Sequence, residues 1–150
     1  MAINGMQEPG PLQILAFRLS PGSDVRQAIE DIATREQISA GSILSAVGSL
    51  SRVQLRFAHA ETPTELTGKH EILTLSGTLS SAGVHLHMTV ANEWGECKGG
   101  HLVDGCHVHT TLELIIATFV DLQFTRKLDH LTGYPELVIS SISQSSSSST

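Results

Sequence analysis

The stretch Val84–His101, VHLHMTVANEWGECKGGH, decides how the rest of the chain is read. Strict alternation over Val84–Val90 places Val84, Leu86, Met88 and Val90 on one face of a strand and His85, His87 and Thr89 on the other. One face belongs to a core and the other carries imidazoles. The polar, glycine-containing segment Asn92-Glu93-Trp94-Gly95-Glu96 reads as a hairpin turn, and the pattern resumes after Gly99-Gly100. With the hairpin centred near Trp94, His101 stands opposite His87, because the two are equidistant from it in sequence. Facing residues in an antiparallel pair have Cβ atoms roughly 4.5–5.5 Å apart, and His85 sits one pleat along on the same face. The expectation is three imidazoles converging on one point.

Neutral imidazole is a good ligand for zinc and similar divalent ions, and three protein ligands leave one coordination position open. A half-solvated sheet can also carry surface histidines without a metal. A one-residue slip at Gly99-Gly100 would turn His101 to the other face. Both readings stay open on pattern alone. A second H-x-H, His107 and His109, competes for the metal role but has no third histidine at a mirror position.

Working outward, 150 residues are enough for one domain with a single core. A mean hydropathy of +0.07 fits a globular protein, and no apolar run approaches the roughly 20 residues of a membrane span. With no basic-then-apolar N-terminal pattern, the expected location is the cytoplasm. Nine Lys and Arg stand against fifteen Asp and Glu, a formal charge of −6, and the sequence holds no basic cluster. Duplex DNA is held by neutralising phosphates, so direct DNA binding is disfavoured. Cys97 and Cys106, without a C-x-x-C spacing, read as reduced and structural. Eight histidines are the compositional hint of metal or proton chemistry.

Residues 1–11 read as a flexible lead-in. Leu12–Leu19 alternates as a first strand. Ser23 or Asp24 then caps a helix whose apolar stripe is Val25, Ala28, Ile29, Ile32 and Ala33, ending near Gln37, its other face solvated. Ala40–His59 reads as two strands or one bent at Gly48, its small residues implying close approach to a ligand, a strand or another subunit. Residues 60–69 read as a polar loop, His70–Ser80 as a strand, and Gly105–Val120 as a long apolar strand with apolar residues on both faces over 112–120. Residues 121–142 are mixed around a Thr132-Gly133-Tyr134-Pro135 turn, and 141–150 form a Ser-rich tail expected to be disordered. One helix with six or more strands is an α+β arrangement, a largely antiparallel sheet with one main helix packed on it, spanning residues 12–140 as a single domain. A strand apolar on both faces calls for an oligomer.

The segments FRLSPGSDV (17–25), AGSILSAVGSLSRV (40–53), HEILTLSGTLS (70–80), HLHMTV (85–90), GGHLVDGC (99–106) and TTLELII (110–116) together resemble the PPC domain, plants and prokaryotes conserved, also called DUF296. In plants this domain follows AT-hook motifs in nuclear DNA-binding proteins; in bacteria and archaea it usually stands alone. The resemblance implies a PPC-like fold, a homotrimer, and a metal site on the H-x-H and G-G-H positions, His85, His87 and His101. The plant Arg-Gly-Arg-Pro core that grips DNA is absent from this sequence, so the family's DNA-binding label does not carry over. The plant interaction motif Gly-Arg-Phe-Glu-Ile-Leu is matched by Gly68, Lys69, His70, Glu71, Ile72 and Leu73, with Lys for Arg and His for Phe, so plant-type partners do not carry over either.

Two functions are expected from this reading. One is a homotrimeric metal-binding interaction or regulatory module. The alternative is a zinc-dependent enzyme of hydrolase or lyase type, in which His85, His87 and His101 hold zinc, its water titrates near 7, and Glu71 or Glu93 serves as acid or base.

Overall fold

The helical stripe and the alternating runs bury one another. A computed structural model describes residues 10–142, in which the chain forms one helix and nine strands. Helix α1, Val25–Arg35, buries Val25, Ile29, Ile32 and Ala33, each at most 4% exposed. Burying side chains of this size stabilises the fold by about 1.5–3 kcal/mol each for the larger ones. Asp24 is the N-cap: its Oδ1 accepts from the Gln27 amide at 3.1 Å and its Oδ2 from the Gly105 amide at 2.6 Å. The helix stops at Arg35, short of the expected Gln37, because Gln37 adopts φ +52. The Ile38 and Gln37 amides then return to the Ala33 and Thr34 carbonyls, a Schellman closure made without glycine.

The strands are β1 (Leu12–Leu19), β2 (Gly41–Arg56), β3 (Thr64–Leu66), β4 (His70–Ser80), β5 (Gly83–Ala91), β6 (Cys97–Leu102), β7 (His107–Phe119), β8 (Leu122–Leu128) and β9 (Pro135–Ser141). All pair antiparallel, in the order β1-β7-β2-β4-β5-β6, with β3 on β2. The second half of β2 also pairs with β6, Arg56 opposite His101, so the sheet curls toward closure around the core. The expected loop 60–69 thus contains a short strand. Gly48 explains the small residues of β2: a Cβ there would lie 2.2 Å from the Thr111 carbonyl oxygen, so what approaches closely is the neighbouring strand β7. The pairing of β2 with β7 shifts register after Gly48, which is the expected bend.

The region 121–142 is more regular than its composition indicates, forming the separate hairpin β8–β9. Phe124 ties it to the main body through its amide to the Ser39 carbonyl and a ring contact with Phe119. Ser141 of the expected tail is the last residue of β9; residues 143–150 of that tail, and residues 1–9 of the lead-in, lie outside the described residues. Both cysteines are free, as expected. Buried Cys106 exchanges hydrogen bonds with the backbone of Gln54, and burial pushes its thiol up to about 11. No helix among the described residues is long and apolar enough to cross a membrane.

On β7, Leu112, Leu114 and Ile116 face the core. The other face presents Ile115 and Ala117, flanked in register by Ile14 of β1. Together with exposed Leu12, Leu44, Val47 and Leu73 this makes an apolar stripe across four strands.

Candidate metal centre

Strand β5 pairs with β6 in the register expected from the position of Trp94: His87 faces His101. The turn is held by Asn92, whose Oδ1 accepts from the amides of Trp94 and Glu96. Leu86, Met88 and Val90 enter the core, so His85 and His87 project from the opposite face. The three imidazoles stand with ring centroids 5.1, 5.3 and 5.5 Å apart, and one nitrogen from each lies within 4.8 Å of the others. A tetrahedral zinc site sets its ligand nitrogens about 3.4 Å apart, given Zn–N near 2.0–2.1 Å. Modest rotations of His85 and His87, both exposed, and of half-buried His101 would cover that difference, so the residues fit a divalent ion. His101 is held well below the usual histidine range, at about 4, first by burial and then by the Arg56 guanidinium and the other two imidazoles. Burial, then Arg126, also lowers His85. Neutral imidazole is the form that ligates.

These histidines open onto a cavity of about 960 Å³. Three arginines line it: Arg26 from the first turn of α1, Arg56 from the end of β2 and Arg126 from β8. Tyr134 and Glu136 of the β8–β9 hairpin complete the wall. Arg26, expected on a solvated face, instead pairs with Glu30 at 2.7 Å and Asp104 at 3.1 Å at the cavity rim.

The carboxylates expected nearby are elsewhere. Glu71 is exposed near the start of β4, paired with Ser49 and Ala91, five residues from the Ser76 that faces His87. Glu93 lies in the β5–β6 turn and lines a different cavity of about 500 Å³. The carboxylate at the histidines is Glu136, whose charge acts on His85. Sequence reasoning passed over it because it read 121–142 as mixed. The signal was a turn at 132–135 between two seven-residue stretches, the pattern of a hairpin.

Of the interaction motif, Gly68 sits at φ +88 and Lys69 is exposed. His70 is buried, its Nδ1 3.1 Å from the Gly68 carbonyl, while Ile72 enters the core and Leu73 is half exposed. The second H-x-H gathers no third ligand among the described residues; His107 faces the capping carboxylate of Asp24 at 3.8 Å.

The comparisons agree with this architecture. The bifunctional protein GlmU of Synechococcus sp. strain JA-2-3B'a(2-13) is 47% identical over 131 residues, 87% of this chain and 21% of that protein. AT-hook motif nuclear-localized protein 16 of Arabidopsis thaliana is 32% identical over 124 residues, 79% of this chain and 48% of that protein. The chain therefore spans between about a fifth and a half of the length of these curated relatives. A hypothetical protein of Salmonella, solved by crystallography at 1.55 Å, superposes with TM-score 0.87 at 40% identity, covering 91% of this chain and 99% of that one. A metal-containing protein of Archaeoglobus fulgidus superposes with TM-score 0.75 at 25% identity, covering 92% and 99%. Residues 6–120 match the Plants and Prokaryotes Conserved (PCC) domain, and the chain belongs to that family.

Proposed function

We propose that this domain is a homotrimeric metal-binding interaction or regulatory module, with His85, His87 and His101 holding a divalent ion, zinc by the chemistry of an all-imidazole set. The observation that carries the metal is the approach of the three ligand nitrogens to within 4.8 Å of one another. The Archaeoglobus relative described as metal-containing supports it. Trimer formation is supported by the apolar stripe over Ile14, Leu44, Val47 and Leu73, each more than half exposed in the single chain. The GlmU relatives, in which the related segment is about a fifth of the length, fit a module appended to other machinery. Direct DNA binding is not part of the proposal, since the charge is −6 and the sequence holds no run of basic residues.

One observation favours a second reading, a metal-dependent hydrolase or lyase. Glu136 places a carboxylate in the same cavity as the three histidines, where an acid or base would have to stand. A zinc ion bound there would supply Lewis acidity and lower the pKa of its water toward 7. Glu136 would hold or deliver the proton, its Oε1 fixed by the Thr132 hydroxyl at 2.9 Å.

Native mass spectrometry of protein purified without chelator or affinity tag tests the primary reading against His87→Ala. Trimers carrying about one divalent ion per subunit are expected, with the ion lost in the variant. A monomer, or a metal content unchanged by the substitution, would overturn it.

A further inference from the structure

The electrostatics of the histidine cavity run opposite to those of the whole chain. Its wall carries three arginines and a single carboxylate, Glu136, on a protein whose net charge is −6. Arg26 is already committed to Glu30 and Asp104. The other two are not neutralised. Arg56 has no hydrogen-bond or ion-pair partner among the described residues, and Arg126 donates only to the neutral Thr78 hydroxyl, at 3.0 Å.

Their placement is specific. Arg56 stands opposite His101 in the β2–β6 ladder. Arg126 is held by Thr78, which stands opposite His85 in the β4–β5 ladder. Two half-buried guanidinium groups therefore flank the imidazole cluster from its two sides, each anchored on a different strand. Gathering like charge around metal-ligating imidazoles is unfavourable unless something negative enters. A planar guanidinium presents paired N–H donors that match the oxygens of a carboxylate or phosphate.

We propose that this cavity binds a small oxyanion, a carboxylate or phosphate group, clamped between Arg56 and Arg126 with one oxygen directed at the three histidines. The proposal deepens the metal-site reading, since that oxygen would take the coordination position the three histidines leave open. Thr74 and Ser76, on the same wall, offer hydroxyls to the remainder of the ligand. The cavity of about 960 Å³ accommodates a ligand considerably larger than the anion itself, so the oxyanion is the anchoring end of a metabolite-sized molecule.

The test is isothermal titration calorimetry of the intact chain at low salt with two probes, inorganic phosphate and succinate, on metal-loaded and on chelator-stripped protein. Binding of at least one probe is expected, and the stronger of the two identifies the anion class. Arg56→Gln and Arg126→Gln should each weaken it about 10-fold, while Arg35→Gln, outside the cavity, leaves it unchanged. Metal content of the same variants is read by native mass spectrometry and thermal unfolding confirms that they fold. No heat from either probe on folded protein, or arginine variants that bind as tightly as the parent, would overturn the proposal even with metal fully bound. Arginine-dependent binding by protein that never takes up metal would instead sustain the oxyanion site and remove the metal reading.

Discussion

Gly77→Ala tests whether the sheet geometry holds the histidines in place. Gly77 of β4 faces Leu86 of β5, between the pairs Ser76–His87 and Thr78–His85. It adopts φ +142, and a Cβ there would lie 1.9 Å from the His85 carbonyl oxygen. Cβ contacts essentially never fall under 3.0 Å, so the strands must part by at least 3.0 − 1.9 = 1.1 Å beside two of the three imidazoles. The unfavourable φ costs about 1–3 kcal/mol. Loss of one or two ladder hydrogen bonds adds about 0.5–1.5 kcal/mol each, for a total of about 1.5–6 kcal/mol. At about 3–4 °C per kcal/mol for a domain of this size, the melting temperature should fall by roughly 5–24 °C. Gly83→Ala is the internal control. Gly83 has φ +129 but nothing within 4 Å of the new methyl group, so only the conformational cost applies and the fall should be smaller, roughly 3–12 °C. Thermal unfolding by circular dichroism measures both. Divalent-ion affinity of Gly77→Ala at a temperature where it is still folded should drop about 10-fold or more, as displaced ligand-supporting groups generally cause. Melting temperatures for the two variants within about 3 °C of each other, with equal metal affinity, would refute the account.

Two further outcomes follow from the geometry. Because the folded-state value of His101 is about 4, below the ordinary 6.5, the unfolded chain takes up a proton between those values that the folded chain does not. Stability should therefore be level above pH 6.5, fall as pH drops toward 4, and level again below; metal occupancy, read by native mass spectrometry in buffered metal, should persist at pH 5.5 and be lost near pH 4. Release with a midpoint above pH 6.5 would contradict this. Val47→Lys places a charge in the exposed apolar stripe and should convert the proposed trimer to monomer, read by size-exclusion chromatography with light scattering, with a melting temperature no lower than that of the parent held as monomer by dilution.

Some elements could be read from local pattern because a single face decided them. The bounds of β1 and β4 came out as expected: alternation in β1 sets Leu15, Phe17 and Leu19 against the core, and β4 keeps its expected ends although its pairing shifts register between Ile72 and Thr74. The apolar stripe of α1 was equally plain, but its end was not. Glutamine rather than glycine occupies the left-handed position, and the closure depends on where Ile38 packs. The hairpin β8–β9 was hidden for a similar reason. Its alternation is weak, because Leu128, Leu131 and Tyr134 are apolar yet exposed, and its docking rests on Phe124 against Phe119.

The metal candidates themselves were legible in the sequence, by symmetry of His87 and His101 about Trp94 and by the period-2 spacing of His85 and His87. Both are short-range properties of one hairpin, and a hairpin's register is set by its own turn and its own buried face. The surroundings of those histidines were not legible. Arg26, Arg56, Arg126 and Glu136 come from four elements spread over 110 residues of chain, and nothing local relates them. Glu71 and Glu93, nearer in sequence, point elsewhere because strand length and turn direction carry them away. Charge also changed meaning between the two levels: a chain acidic on average and without a basic run nonetheless gathers three arginines around one cavity. Local periodicity determines which residues share a face, whereas the curl of the sheet and the docking of the last hairpin decide which faces meet.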